Sequence, residues 1–395
     1  MATKQMLKLV AIAATSMLVI AGCSSGGSDK GAGVPDVPMA TSIGDTEGEL
    51  NIVVWAGYAE DGSTDPAVDW VTPFESATGC QVNVKVGNTS DEMVTLIKSG
   101  QYDGVSASGD ATLRLIYGGD VAPVNTDLVP NYATVAEFLK NREWNSVGDK
   151  MYGIPHGWGA NILMYNTDVV NPAPTSWSTV FEADSPYAGK ITAYDSPIYI
   201  ADAALYLMRT NPDLNITNPY ELDETQFQAA VDLLKQQKQM IGSYWAAYTD
   251  EVASFGQGSN VIGTAWQINA NLINSEGKVK VDGVVPTEGA TGWSDTWMIA
   301  AKAKNPNCMY KWMDWIVSPE VNAQVAEWFG EAPSQTLACE HTSDTTFCDT
   351  YHALDADYAS QISYWATPLA DCQDERGAVC KDYAAWTQAW TDIKG

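Results

Sequence analysis

Between residues 50 and 105 strand-type and helix-type patterns alternate, and no other feature of the sequence narrows the possible folds as much. Leu50-Asn-Ile-Val-Val-Trp55 is a mostly apolar run of strand length, the pattern of a buried strand. After a loop rich in Gly, Asp, Ser and Thr, a helix is expected from about Asp65-Pro66 to Thr78. Gly79 closes it, because glycine tolerates the left-handed conformation common at helix ends. Gln81 to Val86 alternates with the period of two expected of a strand. Thr89-Ser-Asp-Glu92 is a capping-box pattern, opening a helix with Met93, Leu96 and Ile97 on one face and an end near Gly100. Tyr102 to Val105 is the next short strand. Strands joined by helices pair in parallel, so an α/β unit around a largely parallel sheet is expected.

A second α/β region follows, with strands at Asn161–Tyr165, Lys190–Ala193 and Val261–Trp266 and helices over Ile200–Met208 and about Thr225–Met240. Toward the end, Cys308–Val317 reads as a helix, and Ser318-Pro319-Glu320 starts another that reaches Phe329 before Gly330. Serine as the cap, proline in the first turn and an acid beside the positive helix end all agree. A chain of 395 residues has room for two or three such units.

The N-terminus carries an address. Lys4 and Lys8 precede an apolar run, Leu9–Ile20, too short to anchor permanently in a bilayer. The run ends in Ile20-Ala21-Gly22-Cys23, which resembles the lipobox of bacterial lipoproteins. Residues 1–22 are therefore expected to be removed, Cys23 to carry lipid, and residues 23–48, rich in Gly, Ser, Pro and Asp, to form a flexible tether. The protein should be exported, lipid-anchored to the outer face of the cell membrane or periplasmic. Six cysteines remain: Cys80, Cys308, Cys339, Cys348, Cys372 and Cys380. An even number in an exported chain points to disulfides, with 15 formal pairings. The short loops suggest Cys339–Cys348 and Cys372–Cys380, which leaves Cys80–Cys308 as a long-range staple. The C-x₂₋₄-C spacing of a zinc site is absent, and neither a metal nor a cofactor is expected.

Acids outnumber bases 49 to 21, a formal net charge of -28, which excludes a nucleic-acid partner because a polyanion would be repelled. Three histidines (His156, His341, His352) leave little for histidine-based catalysis, and no G-x-S-x-G, H-E-x-x-H or P-loop is present. His156 is expected to be packed or part of a ligand wall, and the chain is not expected to be an enzyme. What recurs instead is an aromatic residue close to a polar or acidic one at a strand end. Trp55 and Tyr58 follow the first strand, and Ser106, Ser108 and Asp110 the third. Asp195 follows another, Trp266 ends one, and Trp293-Ser-Asp295 sits in an expected Gly-rich turn. Ligands bind beyond the carboxyl ends of strands in open parallel sheets. Aromatic faces with carboxylates suit organic cations through cation–π contact and charge-assisted hydrogen bonds.

From about residue 50 to 335 the sequence resembles the extracellular solute-binding proteins of ABC importers, specifically the spermidine/putrescine-binding group. The resemblance runs through Ile52-Val-Val-Trp-Ala-Gly-Tyr58, Phe74-Glu-Ser-Ala-Thr-Gly79, Gly100-Gln-Tyr-Asp-Gly-Val105 and Tyr152-Gly-Ile-Pro-His-Gly-Trp-Gly-Ala160. It continues through Thr175-Ser-Trp177, Tyr187-Ala-Gly-Lys190, Pro286-Thr-Glu-Gly289, Gly292-Trp-Ser-Asp295 and Ser318-Pro-Glu320. It implies an α/β fold of two hinge-linked lobes, the type II periplasmic-binding-protein fold, with the ligand in the cleft. The first lobe would hold residues 49–155 and about 296–345, the second 156–295 and about 346–395.

By position, the resemblance makes Trp55 and Tyr58 an aromatic wall, with Ser108 and Asp110 on the loop facing it. Asp195 would hold an amine, Trp266 would stack, and Trp293 with Asp295 would grip an ammonium. An acid at 110 departs from the usual aromatic residue, and a second family carboxylate falls on Ile198. The implied function is capture of a small organic cation, a polyamine first, by a monomer that delivers it to a permease and its ATPase. Rival readings are another amine-bearing solute (a quaternary ammonium or an amino acid), ferric ion held by Tyr194 and Tyr199, and a hydrolase using Asp110 and Asp195.

Overall fold

A computed structural model describes residues 33–395. The expected signal peptide, Cys23 with its expected lipid and the first part of the expected tether lie outside these residues.

In chain order the strands of the first half are β1 (Glu49–Val54), β2 (Gln81–Val86), β3 (Gly104–Ala107), the short pair β4 (Ser146–Val147) and β5 (Lys150–Met151), β6 (Ile154–Ala160) and β7 (Ile162–Asn166). They continue with β8 (Ile191–Tyr194), β9 (Ile241–Trp245), β10 (Ile262–Ala265), β11 (Val281–Val284), β12 (Ala290–Ile299), β13 (Ala332–Pro333) and β14 (Ile362–Tyr364). Two sheets result. The larger has the order β13-β6-β12-β3-β1-β2 with β14 added beside β12, and the smaller has the order β11-β7-β10-β8-β9. In the larger, β1 runs parallel to β2 and β3, while β12 is antiparallel to β3 and β6. Each sheet is the centre of one lobe, and the chain has the two-lobed type II fold.

The chain crosses between lobes after β6, at Asn161, and again just before β12, where the Asn161 N–H donates to the Thr291 carbonyl at 2.8 Å. The lobe boundaries expected at 155/156 and 295/296 therefore fall inside β6 and β12, both strands of the first sheet. The segment around Trp293, expected as a Gly-rich turn, is a ten-residue strand buried along its whole length. Packing on both faces removes the polar–apolar alternation that marks a half-exposed strand, so its pattern was silent.

Most other elements match the expected ones with shifted ends. The first helix spans Val71–Thr78 rather than starting near Asp65, and the third strand begins at Gly104. Asp103, expected within that strand, instead accepts backbone N–H bonds from Asn51, Lys304 and Asn305 at 2.8–2.9 Å. The disulfides are Cys80–Cys308, Cys339–Cys348 and Cys372–Cys380, the scheme suggested by loop lengths.

Two terminal segments differ from expectation. Residues 34–48, expected to be flexible, are a strap on the first lobe: Val34, Val37, Ala40 and Ile43 pack against its cores. Asn125 Nδ2 donates to the Ala40 carbonyl at 3.1 Å, and Glu47 accepts the backbone N–H groups of Asn307 and Cys308 at 3.0 Å each. The apolar residues recur every third position among prolines, a period that suits an extended polyproline-type chain rather than a helix or a strand. The last fifty residues, expected in the second lobe, divide between both. Strand β14 joins the first sheet, whereas the helix Tyr383–Lys394 buries Trp386, Trp390 and Ile393 in the core of the second lobe.

Candidate functional site

The carboxyl ends of β1 and β3, the middle of β12 and Glu331, two residues past the helix Pro319–Phe329, converge on one buried cluster. Tyr58, reached by a turn in which its N–H donates to the Trp55 carbonyl, is fully buried. Its hydroxyl lies 2.7 Å from Asp295 Oδ2 and 2.6 Å from Glu331 Oε2, hydrogen-bonded to both. A phenol has a single proton to donate, so this arrangement requires a proton on one of the two acids. The other Asp295 oxygen, Oδ1, accepts from Ser108 Oγ at 2.5 Å. Ser108 stands at the cap position of the helix Gly109–Gly118 yet makes no capping hydrogen bond; its hydroxyl serves Asp295 instead. Gly157 makes room for Glu331, because a Cβ there would lie 2.1 Å from the Glu331 Cδ.

Burial dominates the electrostatics. It raises Asp295 to about 6, opposed by the hydrogen bonds from Ser108 and Tyr58 and reinforced by the charge of Asp110. Asp110 is also pushed up to about 6 by burial, against the bond from Ser90 Oγ (2.9 Å) and the attraction of Arg114. Glu331 is raised well above the carboxylate range by burial and then by Asp295. His156, packed against the Tyr58 ring at 4.4 Å between centroids, is driven down to about 3 by burial. Its Nε2 lies 3.3 Å from Glu331 Oε1 without a hydrogen-bonding alignment, and a neutral imidazole beside a protonated acid is the state burial favours. Three buried carboxyl groups thus share a site in which, among the described residues, no cationic side chain is hydrogen-bonded to any of them.

Beside the cluster lies a cavity of about 20 Å³ between the lobes, lined by Trp293 and Glu331 from the first, Trp266 from the second, and Tyr351, His352 and Tyr358 from the C-terminal segment. That is room for about one water, against the several hundred Å³ of a small-molecule pocket, so the lobes are shut down on one another here. The C-terminal segment threads the same interface. Trp365 stacks on Tyr194 at 5.8 Å and 14°, and its carbonyl passes so close to Gly109 that a Cβ there would lie 1.7 Å away.

Of the residues singled out from the sequence, Tyr58, Ser108 and Asp295 meet directly, and Trp293 and Trp266 line the adjoining cavity with ring centroids 6.5 Å apart. Trp55 packs half-buried against the first lobe's cores, its N–H donating to Ser106 Oγ at 3.2 Å. Asp195 does not join the cluster's hydrogen bonds: it accepts from Trp390 Nε1 at 3.0 Å and pairs with Lys394 Nζ. Tyr199, offered as an iron ligand, accepts from Gln237 Nε2 at 3.0 Å and packs on Trp390 inside the second lobe. Asp110 and Asp195, the pair required by a hydrolase, are held by unconnected partners. Sequence reasoning missed Glu331, Tyr351 and Tyr358. An acid after a helix-ending glycine looks like ordinary surface, and the tyrosines lie beyond the region of resemblance.

A family profile described as bacterial extracellular solute-binding protein matches residues 69–345. The chain is similar to the spermidine/putrescine-binding periplasmic protein of Escherichia coli, 27% identical over 304 residues, covering 74% of this chain and 83% of that one. It is also similar to the putrescine/cadaverine-binding protein of Pseudomonas aeruginosa, 23% identical over 344 residues, covering 83% and 90%. Among solved structures, a putative spermidine/putrescine ABC transporter protein from Listeria monocytogenes superposes with a TM-score of 0.71 at 19% identity, covering 88% of this chain and 99% of that one. A spermidine/putrescine ABC transporter substrate-binding protein from Streptococcus pneumoniae gives 0.67 at 21% identity, covering 88% and 97%.

Proposed function

The chain belongs to the bacterial extracellular solute-binding proteins, and from that membership we propose that it captures a small organic cation, of the polyamine class named for its relatives, for uptake by an ABC importer. The observation that carries the reading is Asp295. Its carboxylate is buried, held by two hydroxyl donors and two residues from Trp293, and among the described residues no cation is hydrogen-bonded to it. A ligand ammonium against the indole would neutralise it and receive charge-assisted hydrogen bonds. Trp293 is contributed by the first lobe and Trp266 by the second, so a ligand between them gains contacts only when the lobes close. Binding energy then tilts the open–closed balance. The closed form is what a permease would receive, with a separate ATPase driving transport. Lipid on Cys23 would hold the monomer at the outer face of the cell membrane, and an intact mass without a diacylglyceryl adduct on an N-terminal Cys23 would refute that anchor.

Another amine-bearing solute is the second reading, favoured by Ile198 where the family has a carboxylate and by the Lys394 partner on Asp195. A thermal-shift screen of amines, quaternary ammonium ions and amino acids, followed by calorimetry, tests both. Stabilisation by anionic solutes alone would overturn the cation reading.

A further inference from the structure

We propose that the cleft grips one ammonium group and not two, so that a ligand is recognised by a single cationic end while the rest of it meets aromatic walls. This rests on the organic-cation capture proposed above and narrows its ligand class. The acids of the cluster, Asp110, Asp295 and Glu331, are all carried by elements of the first lobe. Glu331 is 1% exposed, its Oε1 has no hydrogen-bond partner, and it is the sole carboxylate lining the interlobe cavity among the described residues. The second lobe offers that cavity Ile162, Trp266 and Gln267, none of which carries charge. Ile198, three residues past Asp195, is buried and apolar.

Asp195, the remaining candidate on the second lobe, already has its cation. Lys394 Nζ is delivered by a helix whose Trp386, Trp390 and Ile393 are buried, and Trp390 donates to the same carboxylate. A tethered ammonium acts at an effective concentration in the millimolar range or above, so a dilute ligand amine competes poorly for that acid. One end of the cleft is therefore acidic and uncompensated, and the other is aromatic and neutral. The fitting ligand is a compact monocation, or an oligoamine held by one end only.

Calorimetry of the full mature chain near neutral pH, with butylamine, tetramethylammonium, putrescine and spermidine, tests this. Butylamine and putrescine should bind within about threefold of each other, since the diamine gains little beyond its twofold choice of ends. Asp295→Asn, at the acid that is ionised at this pH, should weaken both by a similar factor. If putrescine binds on the order of a hundredfold tighter than butylamine, a second ammonium is being gripped and the one-ended reading is overturned while cation capture stands. If none of the four cations binds, the underlying cation reading falls with it.

Discussion

The two lobes meet the cleft with opposite chemistry. On the first, Tyr58, Asp110, Asp295 and Glu331 are buried together, and burial pushes each toward its protonated form, against only the attraction of Arg114 for Asp110. On the second, Asp195 and Trp266 are already answered. Asp195 has Lys394 and Trp390, and the Trp266 indole N–H donates to Asn161 Oδ1 at 3.0 Å. Asn161 Nδ2 in turn donates to Thr291 Oγ1 at 2.7 Å, and Thr291 Oγ1 to Asp202 Oδ1 at 2.9 Å. The difference separates a surface prepared for a charge it lacks from one prepared to be a fixed wall. Burial perturbs acids in both lobes, Asp202 near 8 among them, but beside the interlobe cavity the first lobe presents Glu331 and the second an indole fixed by a hydrogen-bond chain.

The sharpest way to break this contrast is to remove the central acid. Asp295→Asn should lower amine affinity by on the order of several hundredfold, the equivalent of ~3–5 kcal/mol for stranding a buried charge, with the unliganded melting temperature nearly unchanged. Asp344→Asn, an exposed change, should bind normally; wild-type affinity in the Asp295 variant would end the cation-gripping role.

Acidity gives the next largest effect, with opposite signs for binding and stability. Asp295 and Asp110 sit near 6 in the unliganded fold, above the ordinary carboxylate value, so the fold holds protons that the unfolded chain has released. Their stabilising contribution is complete below about pH 4 and is lost as the pH rises through about 6. Glu221, near 7, and Asp202, near 8, act in the same direction. From these groups the unliganded protein should melt higher at about pH 5 than at about pH 7.5, whereas cation affinity should rise about tenfold over that interval as Asp295 ionises. Calorimetry in buffers of different ionisation heat would register proton release on binding; affinity independent of pH would contradict it.

Smaller effects probe the fixed wall. Asn161→Leu removes the acceptor of Trp266 and should weaken binding roughly tenfold by loosening the indole, while Asn161→Asp keeps that acceptor and should recover part of the loss. Smallest of all, Lys394→Met should destabilise by ~1 kcal/mol, since the pair is partly exposed, and Asp195→Asn should change butylamine affinity less than about threefold. A hundredfold loss in Asp195→Asn would make that acid a ligand group and erase the contrast between lobes.

Most of the α/β framework could be read in the sequence because its signals are local. The alternation over 50–105, the capping box at Thr89 and the proline and glycine bounding Pro319–Phe329 each reside within a few residues, and each led to a real element. Tyr58 and Ser108 were legible through position after strand ends and through family order, and Trp293 and Asp295 through family order and the aromatic–acid pairing, although their strand was read as a turn. The Cys339–Cys348 and Cys372–Cys380 loops followed from closeness in sequence.

What the tertiary structure alone decided are the pairings between distant residues, where no local period exists to betray them. Glu331 reaches Tyr58 across 273 positions, and Lys394 reaches Asp195 across 199. The partners an acid meets are set by the fold and not by its sequence neighbours. Asp195 and Asp295 look alike as residues after or within a strand beside aromatic side chains. Only the docking of the last helix brings the first its cation, while among the described residues no cation is hydrogen-bonded to the second, because desolvation and charge compensation depend on what the fold packs around each carboxylate.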